Sequence, residues 1–149
     1  MKPYTEVGCE AYIVRDGNLL MGLRSNIKFG GGTWGLPGGH LKFMERADVC
    51  IARELKEELG VNVKSSDMQF LAVTDGADAP SGSKSHHVHI TFKVDIGAQT
   101  PKNCEPAECE ELKWFPLDSL PKNILPPHAL ILETINSGQV YKFIEDING

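Results

Sequence analysis

A glycine-rich segment that leads into an acidic helix constrains this chain most. From Phe29 to His40 the sequence reads FGGGTWGLPGGH, and its glycines and proline exclude a regular helix or a central strand. We therefore expect a loop whose backbone closely approaches another group. The following RADVCIARELKEEL, from Arg46 to Leu59, has strong helix formers and an apolar stripe at helical spacing. Gly60 is placed to end that helix.

Strands and one further helix are expected in the rest of the chain. The segment from Glu6 to Ser25 predicts a hairpin, because apolar residues alternate on either side of Asp16-Gly17-Asn18. Further strands are expected near Gln69–Thr74, Val88–Val94 and Leu112–Phe115. Polar loops are expected at 76–85 and 96–108. A second helix is expected from Pro126 to Gly138, with proline in its first turn and glycine at its end. This order predicts an α+β or α/β sandwich.

Length and charge narrow the class of protein. The chain has 149 residues, and 15 Lys+Arg against 20 Asp+Glu give a formal charge of −5. This length can bury a core without disulfide or metal support, so we expect residues 1–149 to form a single domain. The negative charge argues against binding to nucleic acid or an anionic membrane. No stretch approaches the roughly 20 apolar residues that span a bilayer, and MKPYTEVGCE lacks the basic-then-apolar order of a signal peptide, so we expect a cytoplasmic protein.

The four cysteines predict no metal or disulfide framework. Cys9, Cys50, Cys104 and Cys109 form no CxxC pair, and no second half of a zinc site accompanies Cys104 and Cys109. We expect reduced thiols that are mostly buried.

Three glutamates share one face of the first expected helix. Glu54, Glu57 and Glu58 are spaced i, i+3 and i+4, so their carboxylates neighbour one another and repel. Arg53 precedes Glu57 by four residues and can hold one carboxylate. A hard divalent cation such as Mg²⁺ would neutralise the cluster more completely, because it prefers oxygen ligands. On this pattern alone, a solvated acidic helix face remains the alternative.

The sequence before the helix favours a cation and phosphate site. Gly38 and Gly39 precede a short extended piece, and Glu45 then leads into the helix. Such a bend can bring carbonyl oxygens to an ion while amide groups approach a phosphate.

The residues from Gly39 onward resemble the Nudix box of the Nudix hydrolases. The chain reads GHLKFMERADVCIARELKEELGV, with Gly39, Glu45, Arg53-Glu54-Leu55, Glu57-Glu58 and Gly60 at the spacing of the box. WGLPGGHL and PKNCEPAECEELKWF resemble a MutT-type branch that acts on purine nucleoside triphosphates. Lys42 and Met44 depart from the family, because relatives often have Glu and Gly at these positions.

The resemblance implies a fold, a reaction and a metal. The fold would be the Nudix α/β/α sandwich, a mixed β-sheet between helices. The reaction would be Mg²⁺-dependent cleavage of (d)NTPs, including oxidised or modified purine nucleotides, to NMP and pyrophosphate, with Mn²⁺ as an alternative ion. The implied metal ligands are Glu54, Glu57, Glu58 and the carbonyl of Gly38. Arg53 would join the three glutamates in the catalytic set by orienting Glu57.

The resemblance also implies further site residues. The general base is expected to be Glu57 or Glu58, and Glu105 and Glu108 are either loop alternatives for this role or solvated charges. Glu45 would support the helix start. The expected partner is a small-molecule nucleotide, and relatives often form homodimers. The residues expected to bind substrate are Arg24, Leu36, Gly39, His40, Thr91 and Leu130.

Histidines and tryptophans receive a mainly structural interpretation. His87 and His89 point the same way from one expected strand, which formally permits a metal pair. We interpret them as exposed strand residues, because no third ligand is identifiable. His128 either stacks near a base or caps the second helix. Trp34 and Trp114 are expected in the core.

Two competing functions stay open. Another Nudix specificity, for ADP-ribose, nucleotide sugars or dinucleoside polyphosphates, would use the same box. A non-catalytic nucleotide-binding module would be expected to lose the carboxylates of Glu54, Glu57 and Glu58, which this chain retains.

Overall fold

The computed structural model describes residues 4–26, 28, 30–76 and 85–143. Phe29, where the expected glycine-rich loop begins, and most of the expected loop at 76–85 lie outside these residues. The helices are α1 (Ala47–Leu59) and α2 (Pro126–Asn136), with a 3-10 turn at Ser65–Asp67. The strands are β1 (Tyr4–Tyr12), β2 (Val14–Arg15), β3 (Asn18–Arg24), β4 (Trp34–Gly35), β5 (Gly38–His40), β6 (Met68–Gly76), β7 (Ser85–Val94), β8 (Cys109–Pro116) and β9 (Tyr141–Phe143).

The strands form two sheets. One is mixed, with the order β5-β1-β7-β6-β9, in which β1 runs parallel to β7 and antiparallel to β5. In the other, β3 pairs antiparallel with β2, β4 and β8. The buried face of α1 packs in one apolar cluster, whereas α2 packs in a second cluster. The expected α/β/α arrangement is therefore confirmed.

The expected first hairpin is correct only at its tip. Val14 and Arg15 pair with Leu19 and Asn18, around Asp16 and Gly17, both of which have a positive φ. The preceding strand β1 instead joins the other sheet, between β5 and β7. Local alternation predicts a strand but does not identify its partner, because pairing of a buried strand depends on distant segments.

Alternation along β3 links the two cores. Leu20 packs in the cluster beneath α1, whereas its neighbours Leu19 and Met21 pack in the cluster with α2.

Trp34 is buried edge-on against Phe115, with ring centroids 4.7 Å apart. Trp114 packs against the first cluster. The core position expected for Trp34 is therefore confirmed, whereas Trp114 is only partly buried at the edge of the core.

The thiols are free, and only some are buried. Cys9 and Cys50 are fully buried, whereas Cys109 is half-buried and Cys104 is exposed. The expectation of mostly buried thiols therefore applies to two of the four.

Neither helix found in the described part of the chain is long and apolar enough to cross a membrane.

Met44 occupies a left-handed backbone conformation just before α1. Its φ is 63° and its side chain is 87% exposed. A side chain in this conformation costs roughly 1–2 kcal/mol, because Cβ approaches the following carbonyl. A glycine at this position would avoid that cost.

We expect Met44→Gly to raise the free energy of unfolding by about 0.5–1 kcal/mol, since the relieved strain exceeds the extra entropy of unfolded glycine. Urea unfolding measures this change. The matched control is Phe43→Gly, because Phe43 is 95% exposed and is not among the residues with positive φ. That variant should lose stability. Equal destabilisation of both variants would contradict the strain at Met44.

Candidate active site

The acidic face of α1 begins with Glu45, immediately before the helix. Its carboxylate accepts a hydrogen bond from the Lys42 amide at 3.1 Å and two from Arg53 at 2.8 and 2.9 Å. The Arg53 hydrogen bonds lower the pKa of Glu45 to about 2. Glu45 therefore stays ionised and ties the loop to the helix, as the sequence suggested.

Arg53 connects most of the acidic cluster. Besides its two bonds to Glu45, it donates to Glu54 at 2.7 Å and to Glu57 at 3.4 Å. It also donates to the backbone carbonyl of His40 at 3.2 Å. These carboxylates raise the pKa of Arg53 above its ordinary value. One guanidinium thus fixes the end of β5 and two of the three helix glutamates.

Glycines let the backbone of β5 approach the cluster. A Cβ on Gly39 would overlap the Glu54 carboxylate, and one on Gly38 would overlap the Cys9 carbonyl oxygen. The Gly38 amide donates to Glu58 at 3.3 Å. Only glycine leaves room for this approach. The structure therefore places the two glycines beside the helix carboxylates.

Glu58 differs from an ordinary surface glutamate. Burial, followed by the nearby charge of Glu54, raises the pKa of its carboxyl to about 9. The side chain is thus protonated at neutral pH when no cation is bound. A positive ion at this position would favour the ionised form.

The donor set fits a hard divalent cation. Glu54, Glu57 and Glu58 offer carboxylate oxygens and Gly38 a carbonyl oxygen, which are the ligands that Mg²⁺ prefers. The described groups whose ligand atoms all lie within 4.8 Å of one another contain histidines with Glu6 or Glu10, and do not include these three glutamates. Glu54 and Glu58 are nevertheless close enough for a hydrogen bond between their carboxyl groups.

The cluster lines a cleft of about 630 Å³, within the usual range for small-molecule sites. Thr91 is fully buried beside Glu10 in the strand register and is not in the lining, and neither is Leu130. The predicted residues that line the cleft are Arg24, Leu36, Gly38, Gly39, His40, Glu54, Glu57, Glu58, Glu105 and Glu108.

The loop glutamates share the cleft lining with two cationic side chains, Arg24 and Lys28. Glu108 binds Lys28 at 3.2 Å, which lowers the pKa of its carboxyl. Burial and the neighbouring Glu108 raise the pKa of Glu105. Burial lowers the pKa of Arg24, an effect that Glu58 and Glu108 oppose. Arg24 and Lys28 thus bring positive charge to the wall near the carboxylates.

Sequence reasoning missed Glu10, which lines the same cleft and pairs with Gly38 in the register of β1 and β5. Its carboxylate is buried and binds His89 Nδ1 at 2.8 Å through Oε1, while Oε2 has no hydrogen-bond partner among the described residues. The available signal was a charged residue within the apolar strand VGCEAYIV. A carboxylate in such a strand must be buried or must mark a site.

His128 lines the same cleft with a fixed tautomer. Its Nδ1 accepts the Leu36 amide hydrogen at 2.8 Å, so the hydrogen of the neutral ring is on Nε2. Burial lowers the pKa of His128 to about 3, which keeps the ring neutral. Nε2 lies 3.8 Å from Glu10 Oε1. The ring therefore presents a donor at the cleft wall, rather than capping α2 with its side chain.

The expectation that His87 and His89 are exposed is wrong. His89 is buried, and the His87 side chain is only 14% exposed. Both line the cleft, and each faces a carboxylate from β1, Glu6 for His87 and Glu10 for His89. The partners were not identifiable from sequence, because the parallel pairing of β1 with β7 joins residues about 80 positions apart.

Comparisons with known proteins identify the family. The NUDIX domain model matches residues 7–135. The structure of a MutT NUDIX hydrolase from Burkholderia pseudomallei is 35% identical, with a TM-score of 0.78 over 89% of this chain and 98% of that chain. The chain therefore belongs to the Nudix hydrolase family, whose members act on phosphoanhydride substrates and generally use divalent metal ions.

Two further relatives differ in their named substrates. An ADP-ribose pyrophosphatase of Methanocaldococcus jannaschii is 30% identical over 116 residues, which cover 78% of this chain and 64% of that protein. An oxidized purine nucleoside triphosphate hydrolase of Danio rerio is 30% identical over 117 residues, which cover 73% and 65%. The chain thus spans slightly less than two thirds of these two relatives.

The Arg53 network predicts the effect of a charge-conserving change. Arg53→Lys should weaken Mg²⁺ binding about 10- to 100-fold, because one ammonium cannot replace the planar donor array. Titration calorimetry with Mg²⁺ measures this. Lys56→Arg is the matched control on the same helix, since Lys56 binds Asn62 outside the cluster. Unchanged Mg²⁺ affinity in Arg53→Lys would contradict the positioning role.

The raised pKa of Glu58 predicts that Mg²⁺ affinity depends on pH. Below about pH 9 the ion must displace the carboxyl proton, so affinity should rise with pH, by up to about tenfold per unit for one released proton. Calorimetry between pH 6 and 9, in buffers with different ionisation enthalpies, measures affinity and proton release. Glu58→Gln should remove the part of the pH dependence that comes from release of the Glu58 proton. The same pH dependence in that variant would contradict the assignment.

Proposed function

We propose that this chain is a Mg²⁺-dependent nucleoside triphosphate pyrophosphohydrolase. It would cleave (d)NTPs, including oxidised or modified purine nucleotides, to NMP and pyrophosphate. One observation carries the proposal: a single cleft combines an all-oxygen acidic cluster with a cationic wall and a buried polar wall. These three surfaces are suited to a cation, a phosphate chain and a base.

The acidic cluster would hold the cation. Glu54, Glu57, Glu58 and the Gly38 carbonyl are the proposed ligands, and Mn²⁺ could substitute for Mg²⁺ because it accepts the same oxygen donors. The bound ion would shield the phosphate oxygens and favour ionisation of the attacking water. Arg53 would keep Glu54 and Glu57 oriented through its hydrogen bonds. The amides of β5 could approach a phosphate.

Water attack on a phosphoanhydride needs a proton acceptor. The Glu57 side chain is 47% exposed to the cleft solvent and therefore reaches water more readily than Glu58, which the Gly38 amide holds. We propose Glu57 or Glu58 as the first candidates for the general base. Glu105 is the loop alternative, whereas Glu108 is engaged with Lys28. One water would be consumed, and its oxygen would enter one of the two phosphate products.

The remaining walls would bind the nucleotide. Arg24 would meet the phosphates, and Leu36, Gly39 and His40 would form the wall beside them. Thr91 and Leu130 are not in the lining, so they would act on the substrate only through the lining residues that they pack behind. His128 Nε2 supplies a neutral donor where a base could lie. A purine edge that offers an acceptor would suit this donor.

The M. jannaschii relative supports a second candidate, hydrolysis of ADP-ribose, which would use the same acidic cluster. The Danio rerio relative and the resemblance of PKNCEPAECE to the triphosphate branch favour the first candidate. The two differ in the group attached beyond the diphosphate, so a cation held by the acidic cluster would serve both.

Product analysis with Mg²⁺ tests the proposal. We expect a purine dNTP, such as dGTP or 8-oxo-dGTP, to give monophosphate and pyrophosphate, and Glu57→Gln to lose about 10²- to 10⁴-fold in kcat. Glu110→Gln is the matched control, because Glu110 is exposed on β8 outside the cleft lining. The panel includes ADP-ribose and GDP-mannose.

Each other outcome has a defined meaning. Turnover of ADP-ribose or GDP-mannose alone would overturn the triphosphate assignment. Nucleotide binding without any turnover would favour the non-catalytic module. Equal activity of Glu57→Gln and Glu110→Gln would overturn the catalytic assignment of the acidic cluster.

A further inference from the structure

Four histidines form a row within the lining of the cleft. His40, His87, His89 and His128 follow one another with ring centroids 5.9–6.0 Å apart. They come from β5, β7 and the first turn of α2, and all four line the same cleft. The chain has five histidines in total. This concentration is not needed for a cation held by glutamates, so it calls for its own explanation.

Two groups in this row bring three metal-binding atoms within 4.8 Å of one another. One consists of Glu6, His40 and His87, and the other of Glu10, His89 and His128. Both contain one carboxylate and two imidazoles. Such sets favour ions of the Zn²⁺ class over Mg²⁺, because imidazole is a poor ligand for hard cations.

The buried group is excluded by the tautomer of His128. Its Nδ1 accepts the Leu36 amide hydrogen, so Nε2 of the neutral ring carries a hydrogen and cannot coordinate an ion. Coordination would require loss of this buried hydrogen bond or an anionic ring. Glu10, His89 and His128 are therefore a hydrogen-bonded wall and not a metal site.

The geometry of the other group points to a Zn²⁺-class site formed by Glu6, His40 and His87 at the edge of the cleft. Glu6 Oε2 lies 2.8 Å from His87 Nε2 and 3.4 Å from His40 Nε2. A tetrahedral zinc ion with ligands at 2.0–2.1 Å would place pairs of ligand atoms about 3.3 Å apart. The observed distances lie on either side of this value.

The burial of the three side chains suits binding of an ion from solution. His87 is 14% exposed and is fixed on β7, whereas His40 is 66% exposed and can adjust its rotamer and tautomer. The two rings are nearly parallel, with an interplanar angle of 25°. Three protein ligands would leave a fourth position for water or a substrate atom, as in three-ligand zinc sites.

The site is separate from the proposed Mg²⁺ ligands but is linked to them through β5. His40 follows Gly38 and Gly39, and its backbone carbonyl accepts a hydrogen bond from Arg53. An ion on the His40 ring would thus restrain the strand that borders the acidic cluster. The proposal does not depend on which nucleotide is hydrolysed, or on whether hydrolysis occurs.

Titration of the whole chain with Zn²⁺ in saturating Mg²⁺ tests the site, because Mg²⁺ occupies oxygen-only positions. We expect one Zn²⁺ per chain, and affinity about tenfold or more weaker in His40→Ala and in His87→Ala. His40→Ala is informative even if His87→Ala folds poorly, since His40 is largely exposed. The matched control is His86→Ala, because His86 binds Asp75 instead of Glu6.

Two more variants separate this site from its neighbours. Glu57→Gln should keep the wild-type Zn²⁺ affinity, and so should Glu10→Gln. The proposal is overturned if wild-type protein binds no Zn²⁺ in saturating Mg²⁺, or if His40→Ala binds as tightly as wild type. It is also overturned if Glu57→Gln or Glu10→Gln, instead of His40→Ala, loses the ion. Because the readout is binding, absent nucleotide hydrolysis would contradict only the proposed function.

Discussion

The arrangement of the acidic cluster depends on the hydrogen bonds of Arg53. This side chain binds Glu45 twice and also reaches Glu54, Glu57 and the carbonyl of His40. Like charges three and four residues apart on a helix repel one another, and the shared guanidinium offsets this repulsion between Glu54 and Glu57. The helix start, the end of β5 and the carboxylates therefore form one unit.

The glycines complete this unit through their lack of a side chain. Gly39 lies against the Glu54 carboxylate, and Gly38 lies against the Cys9 carbonyl while its amide contacts Glu58. A larger residue at Gly38 would collide with the backbone of β1, and one at Gly39 would displace the Glu54 carboxylate. Glu58 is buried where β5 approaches α1, and this burial raises the pKa of its carboxyl. Close packing thus accounts for the protonated state of Glu58 when no cation is bound, and a bound divalent cation would favour the ionised form.

The sequence predicted the local features of the site well. Helix α1 was placed within one residue, because its apolar period and Gly60 are local signals. The strand alternation of β7 was also correct, yet the exposure of His87 and His89 was not. Their surroundings depend on pairing with β1, more than 70 residues earlier in the chain. The same long-range pairing hid the role of Glu10 and broke the expected hairpin at Tyr12.

The most direct test of this account is the position of a bound divalent ion. Crystals soaked with Mn²⁺ and measured for anomalous scattering would locate the ion without reference to activity. The account predicts a peak within coordination distance of the Glu54, Glu57 and Glu58 carboxylates and the Gly38 carbonyl. A fully occupied peak elsewhere in the cleft, with none at these glutamates, would contradict it.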